Sequence, residues 1–175
     1  PDYTYQWSNT TTLFAESGQN LNSIISDTYS VTATDSKGCT VTIAGTNVSE
    51  PPVIVLSTIA NPVNCNGGSD GEIDLNVSGG TGIGTYSFEW TNSLSAIVGT
   101  SEDLSGLPAS TYTCEVEDGN GCISFISQEV TEPPVPLTAL SFATSVLCKG
   151  DNTGAVDLIV SGGTPDYTYA WTSGQ

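Results

Sequence analysis

The chain has 175 residues and a mass of 18.0 kDa, with 19 Asp and Glu against two Lys, a formal net charge of −17 and no His or Met. Two basic residues cannot track a phosphate backbone, and the negative excess repels anionic lipid, so nucleic acid and direct membrane insertion are set aside as partners. Without His, imidazole bases and imidazole metal ligands are excluded too. The length leaves room for one or two domains, and 37% hydrophobic residues suit small sandwich cores better than one large core. Thr, Val, Ile and Tyr dominate over the usual helix formers, which favours strands. No apolar run approaches the ~18 residues of a membrane span. The missing Met places the first residue downstream of a translation start, and any export signal is expected outside this segment.

Along the chain, Asp2-Tyr3-Thr4-Tyr5-Gln6-Trp7 alternates aromatic and polar residues, as a strand with one apolar face does. Asp35-Ser36-Lys37-Gly38-Cys39 reads as a turn, and Glu50-Pro51-Pro52 as a linker. Ile73, Leu75 and Val77 alternate with Glu72, Asp74 and Asn76, which predicts a strand with one wet face. Tyr86, Phe88 and Trp90 share one face of the next strand. Leu104, Leu107 and Pro108 lead to Tyr112 in the pattern of a corner, where a Tyr entering a strand bonds back to the preceding loop. Tyr112, Cys114 and Val116 alternate with Thr113, Glu115 and Glu117, Asp118-Gly119-Asn120-Gly121 is a tight hairpin turn, and Cys122 to Val130 is the returning strand. Trp7, Trp90, Trp171, Tyr29 and Tyr112 are the expected core aromatics.

These markers repeat. Cys39 and Cys122 lie 83 residues apart, as do Cys65 and Cys148, and Ser78-Gly79-Gly80-Thr81 and Ser161-Gly162-Gly163-Thr164. The aromatic strand of residues 2–7 returns at 85–90 and 166–171, and Glu50-Pro51-Pro52 returns as Glu132-Pro133-Pro134. With Glu-Pro-Pro as the boundary, residues 1–50 are the C-terminal part of a repeat, 51–133 a complete repeat and 134–175 the N-terminal part of the next. The segment is therefore expected to be an excerpt of a longer array whose end pieces need their missing halves. Short strands with regular turn signals predict an all-β fold: tandem immunoglobulin-like (fibronectin III-like) β-sandwich repeats of about 83 residues, each with about seven strands.

The ordered motifs Cys65-Asn66-Gly67, Gly71 to Leu75, Val77 to Thr81, Tyr86 to Trp90, Leu104 to Pro108, Thr111-Tyr112, Asp118 to Cys122 and Glu132 to Pro134 resemble the SprB repeat, which builds giant cell-surface adhesins of gliding Bacteroidota. The chain departs from that pattern at Gly82-Ile83-Gly84, at Phe88 and at Cys114, whose place Val31 holds one repeat earlier. The resemblance implies export by the type IX route, display on the outer bacterial surface, use as a tether, and no catalytic residues.

Other motifs carry plainer readings. Gly67-Gly68-Ser69-Asp70-Gly71 matches the nucleophile-elbow pattern, but it joins two strands in a chain without His. The Gly79–Gly84 loop has no helix after it to present to a phosphate. Alternation sends the Tyr-x-Tyr-x-Trp aromatics inward, toward a core and away from a sugar-stacking platform. Asp35, Glu50, Asp70, Asp118, Glu132 and Asp151 gather at the expected junctions between units, with Lys37 and Lys149 as the sole compensation, and their oxygens suit a hard cation such as calcium. Against that, Asp35 and Asp118 favour turns for their own sake. In an exported protein Cys39, Cys65, Cys122 and Cys148 are disulfide candidates. Cys65 with Cys122 is the simplest pair, yet the topology puts them at opposite ends of one sandwich. Cys39 with Cys65, Cys122 with Cys148, or a staple from Cys65 to the next unit's hairpin are the alternatives. Cys114, on an inward face, is expected as a buried free thiol.

The leading expectation is a non-catalytic stalk whose partners are neighbouring repeats of the same chain. The alternative is a module binding surface polysaccharide or another cell-surface protein, which exposed aromatics would favour, Tyr86 and Phe142 being the candidates.

Overall fold

The structure is a computed structural model and describes residues 2–11, 16–81 and 85–172. The departure at Gly82-Ile83-Gly84 lies outside the described residues. The fold is all-β, and among the described residues no helix is long and apolar enough to cross a membrane. The chain divides into two compact units, Pro1–Pro52 and Val53–Gln175, taken separately below.

The first unit is one antiparallel sheet, with β1 (Thr4–Asn9), β2 (Asp27–Thr34) and β3 (Thr40–Val48) in the order β1-β2-β3. Cross-strand partners share a face, so the pairs Trp7 with Val31, Tyr5 with Ala33, Val31 with Ile43 and Ala33 with Val41 gather six apolar side chains on one side. The register slips between Tyr29 and Val31, opposite Gly45 at φ 77°. That extra residue explains why the Glu-Pro-Pro motif returns one position early, at 82 residues, while Cys39 and Cys122 just before it keep 83.

In the second unit, β4 (Val55–Asn61), β5 (Gly71–Ser78), β6 (Ser87–Asn92), β7 (Ile97–Gly99), β8 (Leu104–Leu107), β9 (Ser110–Glu117) and β10 (Ile123–Val130) form a β-sandwich. One sheet runs β4-β5-β8 and the other β10-β9-β6-β7. The alternation predicted for 72–77 holds: Ile73 and Leu75 are buried while Glu72, Asp74 and Asn76 are exposed. Between the sheets lie Trp90, Tyr112, Cys114, Val116 and Val130, with Leu104, Leu107 and Val63 at the margins. Trp90 anchors this core, fully buried, with its indole Nε1 donating to the Ser101 carbonyl at 3.0 Å. The corner predicted at Tyr112 is present, its hydroxyl donating to the Pro108 carbonyl at 2.8 Å. Tyr29 makes the equivalent bond to Ile25 at 2.9 Å in the first unit.

β8 is short. It pairs with β5 only from Gly71 to Ile73, so the Leu75 amide would be left without a strand partner. The Asp103 carboxylate, just before β8, accepts that amide at 2.9 Å and takes the place of the ladder.

After Pro134 the chain forms a single hairpin, β11 (Thr138–Thr144) with β12 (Ala155–Ser161). Residues 166–171 were expected as a strand with Trp171 in a core. The structure corrects both points: the segment is in no strand, and Trp171 is 65% exposed. The reason is pairing. β1 and β6 are held by β2 and β9, and among the described residues no such neighbour stands beside 166–171. Trp7, paired to Val31 and with its indole Nε1 donating to the Gly18 carbonyl at 2.9 Å, is half-buried, whereas Tyr29 is buried as expected.

Candidate functional site: the two ends of the complete repeat

The chemistry-bearing residues of the complete repeat lie at its two ends. At the entry end, Val53 and Ile54 pack against the Gly79-Gly80 turn. A Cβ on Gly79 would come within 1.9 Å of the Val53 carbonyl, and one on Gly80 within 2.9 Å of the Asp118 carboxylate, and both glycines have left-handed φ. No other residue fits there. Gly162 stands in the same relation to Pro136, at 2.1 Å, which is why Val-Ser-Gly-Gly-Thr and its counterpart recur.

Asp118 is the buried charge of this end, and four donors surround it. Its Oδ1 accepts the amides of Asn120 and Cys122, both at 2.9 Å, closing the hairpin turn. Its Oδ2 accepts the Thr81 amide at 2.9 Å and the Thr81 hydroxyl at 3.0 Å, tying the turn to the loop after β5. These bonds, the Cys122 amide foremost, lower its pKa to about 2. Asp35 caps its own turn in the same way, accepting from Lys37 and Cys39 at 2.9 and 2.8 Å, with its pKa also lowered chiefly by the Cys39 amide. The turn-capping reading thus describes what Asp35 and Asp118 do.

At the exit end, the Cys65 to Gly71 turn meets the start of the linker. Glu132 accepts the Gly67 amide at 2.5 Å, and the Asn66 side-chain amide donates to the Pro133 carbonyl at 2.8 Å. The Val63 amide donates to the Thr131 carbonyl at 2.8 Å. The linker is therefore fastened to the repeat it leaves. Asp70, exposed, accepts the Asn64 amide at 3.1 Å and also the Asn64 side chain, which is the main cause of its lowered pKa. The same turn recurs at Cys148, whose carbonyl accepts the Asp151 amide at 3.1 Å. Glu50 and Asp151 are exposed. Among the described residues, no three acidic or cysteine side chains converge as a metal site.

All five cysteines are free thiols. Cys65 sits at the exit end and Cys122 at the entry end, separated by the eight residues of β10, or about 26 Å of strand. Bridged Cα atoms lie about 4.4–6.8 Å apart, so the simplest predicted pair, Cys65 with Cys122 inside one repeat, does not form. Cys39, Cys65, Cys122 and Cys148 are exposed. Cys114 is buried, and burial pushes its thiol up to about 11, so it behaves as an unreactive apolar residue.

Two acidic residues escaped the sequence reading. Asp103 replaces a missing ladder bond, as above. Asp27 accepts the hydroxyls of Thr10, at 2.6 Å, and Thr11, and these hold its pKa near 2. Each stands at or just before the first residue of a strand, which is the one signal that could have flagged it. Of the candidate exposed aromatics, Tyr86 is half-buried and donates to the Gly79 carbonyl at 2.6 Å, while Phe142 is 57% exposed.

No curated protein matches the chain. The SprB repeat family model matches residues 57–95 and 140–175, two segments that start 83 residues apart and cover the fronts of two successive repeats. The first match runs from β4 through the exit-end turn, the Gly-Gly loop and the Trp90 strand, and the second covers the same elements one period later. These two segments, one beginning in β4 and the next in β11, are similar to the SprB repeat.

Proposed function

We propose that the chain is a length of the stalk of a large secreted bacterial surface adhesin, that its repeats are immunoglobulin-like spacers, and that it has no catalytic part. The observation that carries this reading is the placement of the chain's entry and exit. Val53 and Ile54 enter at the Asp118 end, and Glu132 and Pro133 leave fastened to the opposite end. Units joined this way add length. Strands of eight residues at ~3.3 Å, plus their turns, give roughly 35–40 Å per repeat. Pro-Pro linkers fix φ at the joints, and a net charge of −17 keeps a long chain soluble and extended. The SprB repeat match supports a place on the outer bacterial surface, export by the type IX route and a role in gliding adhesion.

Small-angle X-ray scattering of a four-repeat chain tests this reading, first with calcium and then with chelator. A rod that lengthens by roughly 35–40 Å per repeat is expected. A compact particle in both conditions sinks the stalk. Collapse on chelation alone would assign a cation to the acidic junctions. One observation favours a second reading, a module binding polysaccharide or protein: Phe142 and Leu140 on β11 and Ile159 on β12 form an exposed apolar patch. Binding of a glycan array by the intact chain, lost in Phe142→Ser, would establish that instead.

A further inference from the structure

The chain holds two Asn-Gly pairs, Asn66-Gly67 at the exit end of the complete repeat and Asn120-Gly121 at its entry end. An Asn followed by Gly can react with itself. The Gly backbone nitrogen attacks the Asn side-chain carbonyl carbon, and no Cβ on the Gly screens that nitrogen. The step is slow because an amide nitrogen becomes a nucleophile only as it gives up its proton. A base placed on that N–H therefore decides which pair reacts.

Both pairs stand in turns, and their Gly amides are held differently. The Gly121 amide donates to the Asp118 backbone carbonyl at 3.0 Å, a group that takes up no proton. The Gly67 amide donates to the Glu132 carboxylate at 2.5 Å, a short charge-assisted bond from a backbone N–H to a base. Glu132 lies 65 residues away in sequence, so the linker supplies that base. The Asn66 side chain is held as well, its Nδ2 donating to the Pro133 carbonyl at 2.8 Å. The attacking and the leaving nitrogen are thus fixed by adjacent linker residues. Gly67 is exposed, with nothing within 4 Å of where a Cβ would stand, so water reaches the pair.

We propose that Asn66-Gly67 is a self-modification site at which Glu132 is the base, and that its reaction unfastens the linker. Glu132 takes the Gly67 amide proton as the nitrogen bonds to the Asn66 Cγ. The Cγ–Nδ2 bond then breaks, and Nδ2 receives that proton through solvent and leaves as ammonia. The five-membered succinimide that remains is opened by water to isoaspartate or Asp. Nothing is oxidised or reduced. In either product a carboxylate replaces the Nδ2 donor. It faces the Pro133 carbonyl beside the Glu132 carboxylate, so repulsion stands where two hydrogen bonds held the linker. Lys149-Gly150 occupies this place one repeat later, so the same turn there cannot react. The inference goes beyond the stalk reading and holds equally for a binding module.

Ageing the 175-residue chain at neutral pH tests it, with peptide mass mapping and enzymatic labelling of isoaspartate. Asn66 should convert at least about tenfold faster than Asn120. Glu132→Gln keeps an acceptor for the Gly67 amide but cannot take its proton. It should slow Asn66 by a similar factor and leave Asn120 unchanged. Asn120 also reports on folding, because in urea both pairs lose their partners and should react alike in either chain. As Asn66 converts, hydrogen exchange of the Val63 amide should quicken, since its bond to Thr131 closes the same end. In Asn66→Gln of equal age that amide should stay protected. Equal rates at Asn66 and Asn120 in the folded chain overturn the proposal. So does a Glu132→Gln chain that converts as fast, or a converted chain in which Val63 stays protected.

Discussion

β5 and β12 carry the same inward pattern, Ile73-x-Leu75-x-Val77 against Val156-x-Leu158-x-Val160, and the same Gly-Gly turn follows each. One pattern ends in a core and the other faces an open groove. The difference lies in what stands opposite. The covering sheet reaches β5 because residues 87–130 follow it in the complete repeat. Alternation therefore specifies which face of a strand seeks burial, while burial itself depends on strands tens of residues away. Trp90, between two sheets, is fully buried.

The strongest way to break this comparison is to truncate the equivalent tryptophans. Trp90→Ala should cost about 3–5 kcal/mol, as loss of a fully buried aromatic does. Trp171→Ala should shift stability by less than about 0.5 kcal/mol, as loss of an exposed side chain does. Urea unfolding of both variants checks this, and equal losses would mean that residues 166–171 belong to a core.

Asp118 accepts from four donors, whereas Asp35 accepts the amides of Lys37 and Cys39. Asp118 titrates near 2 when folded against an ordinary 3.8, so it binds fewer protons in the folded state. Its contribution is therefore complete above 3.8 and drains away as the pH falls toward 2. Acid unfolding followed by Trp90 fluorescence should be flatter across that window in Asp118→Asn, and less so in Asp35→Asn. An unchanged acid limb in Asp118→Asn would show that the turn holds without its carboxylate.

Smaller effects sharpen the comparison between units. Tyr112→Phe leaves the ring and removes the bond to Pro108, which should cost about 1 kcal/mol in thermal or urea unfolding. Tyr29→Phe should cost a similar amount in the first unit. Cys114→Val should be worth less than about 1 kcal/mol either way, because Val31 fills that place one repeat earlier. A thiol reagent should label four cysteines in the native chain and the fifth only after unfolding. Rapid native labelling of all five would contradict the burial of Cys114.

Local chemistry was legible from the sequence. The alternation of residues 72–77, the Asp118 turn and the Tyr112 corner each depend on neighbours a few residues away, and each is present. The opposite placement of Cys65 and Cys122 was legible too, since it follows from counting strands. What escaped depends on distant partners. Nothing near Asp103 announces that β8 stops short and leaves the Leu75 amide to be satisfied. The slip opposite Gly45 shows in the sequence only as a motif returning one residue early. Trp171 is exposed because, among the described residues, no strand stands beside 166–171 to pair with it, as expected of an end piece that needs its missing half.

The fastening of Glu132 and Pro133 to the exit end also fixes how the repeat meets a pull. β4 begins at the entry end, and β10 finishes at the exit end. They lie side by side along their length, with Thr58 donating to Gln128 at 2.7 Å and Val63 to Thr131 at 2.8 Å. Tension on the two ends drags these strands past each other in shear. Their contacts then yield together rather than peeling open one by one.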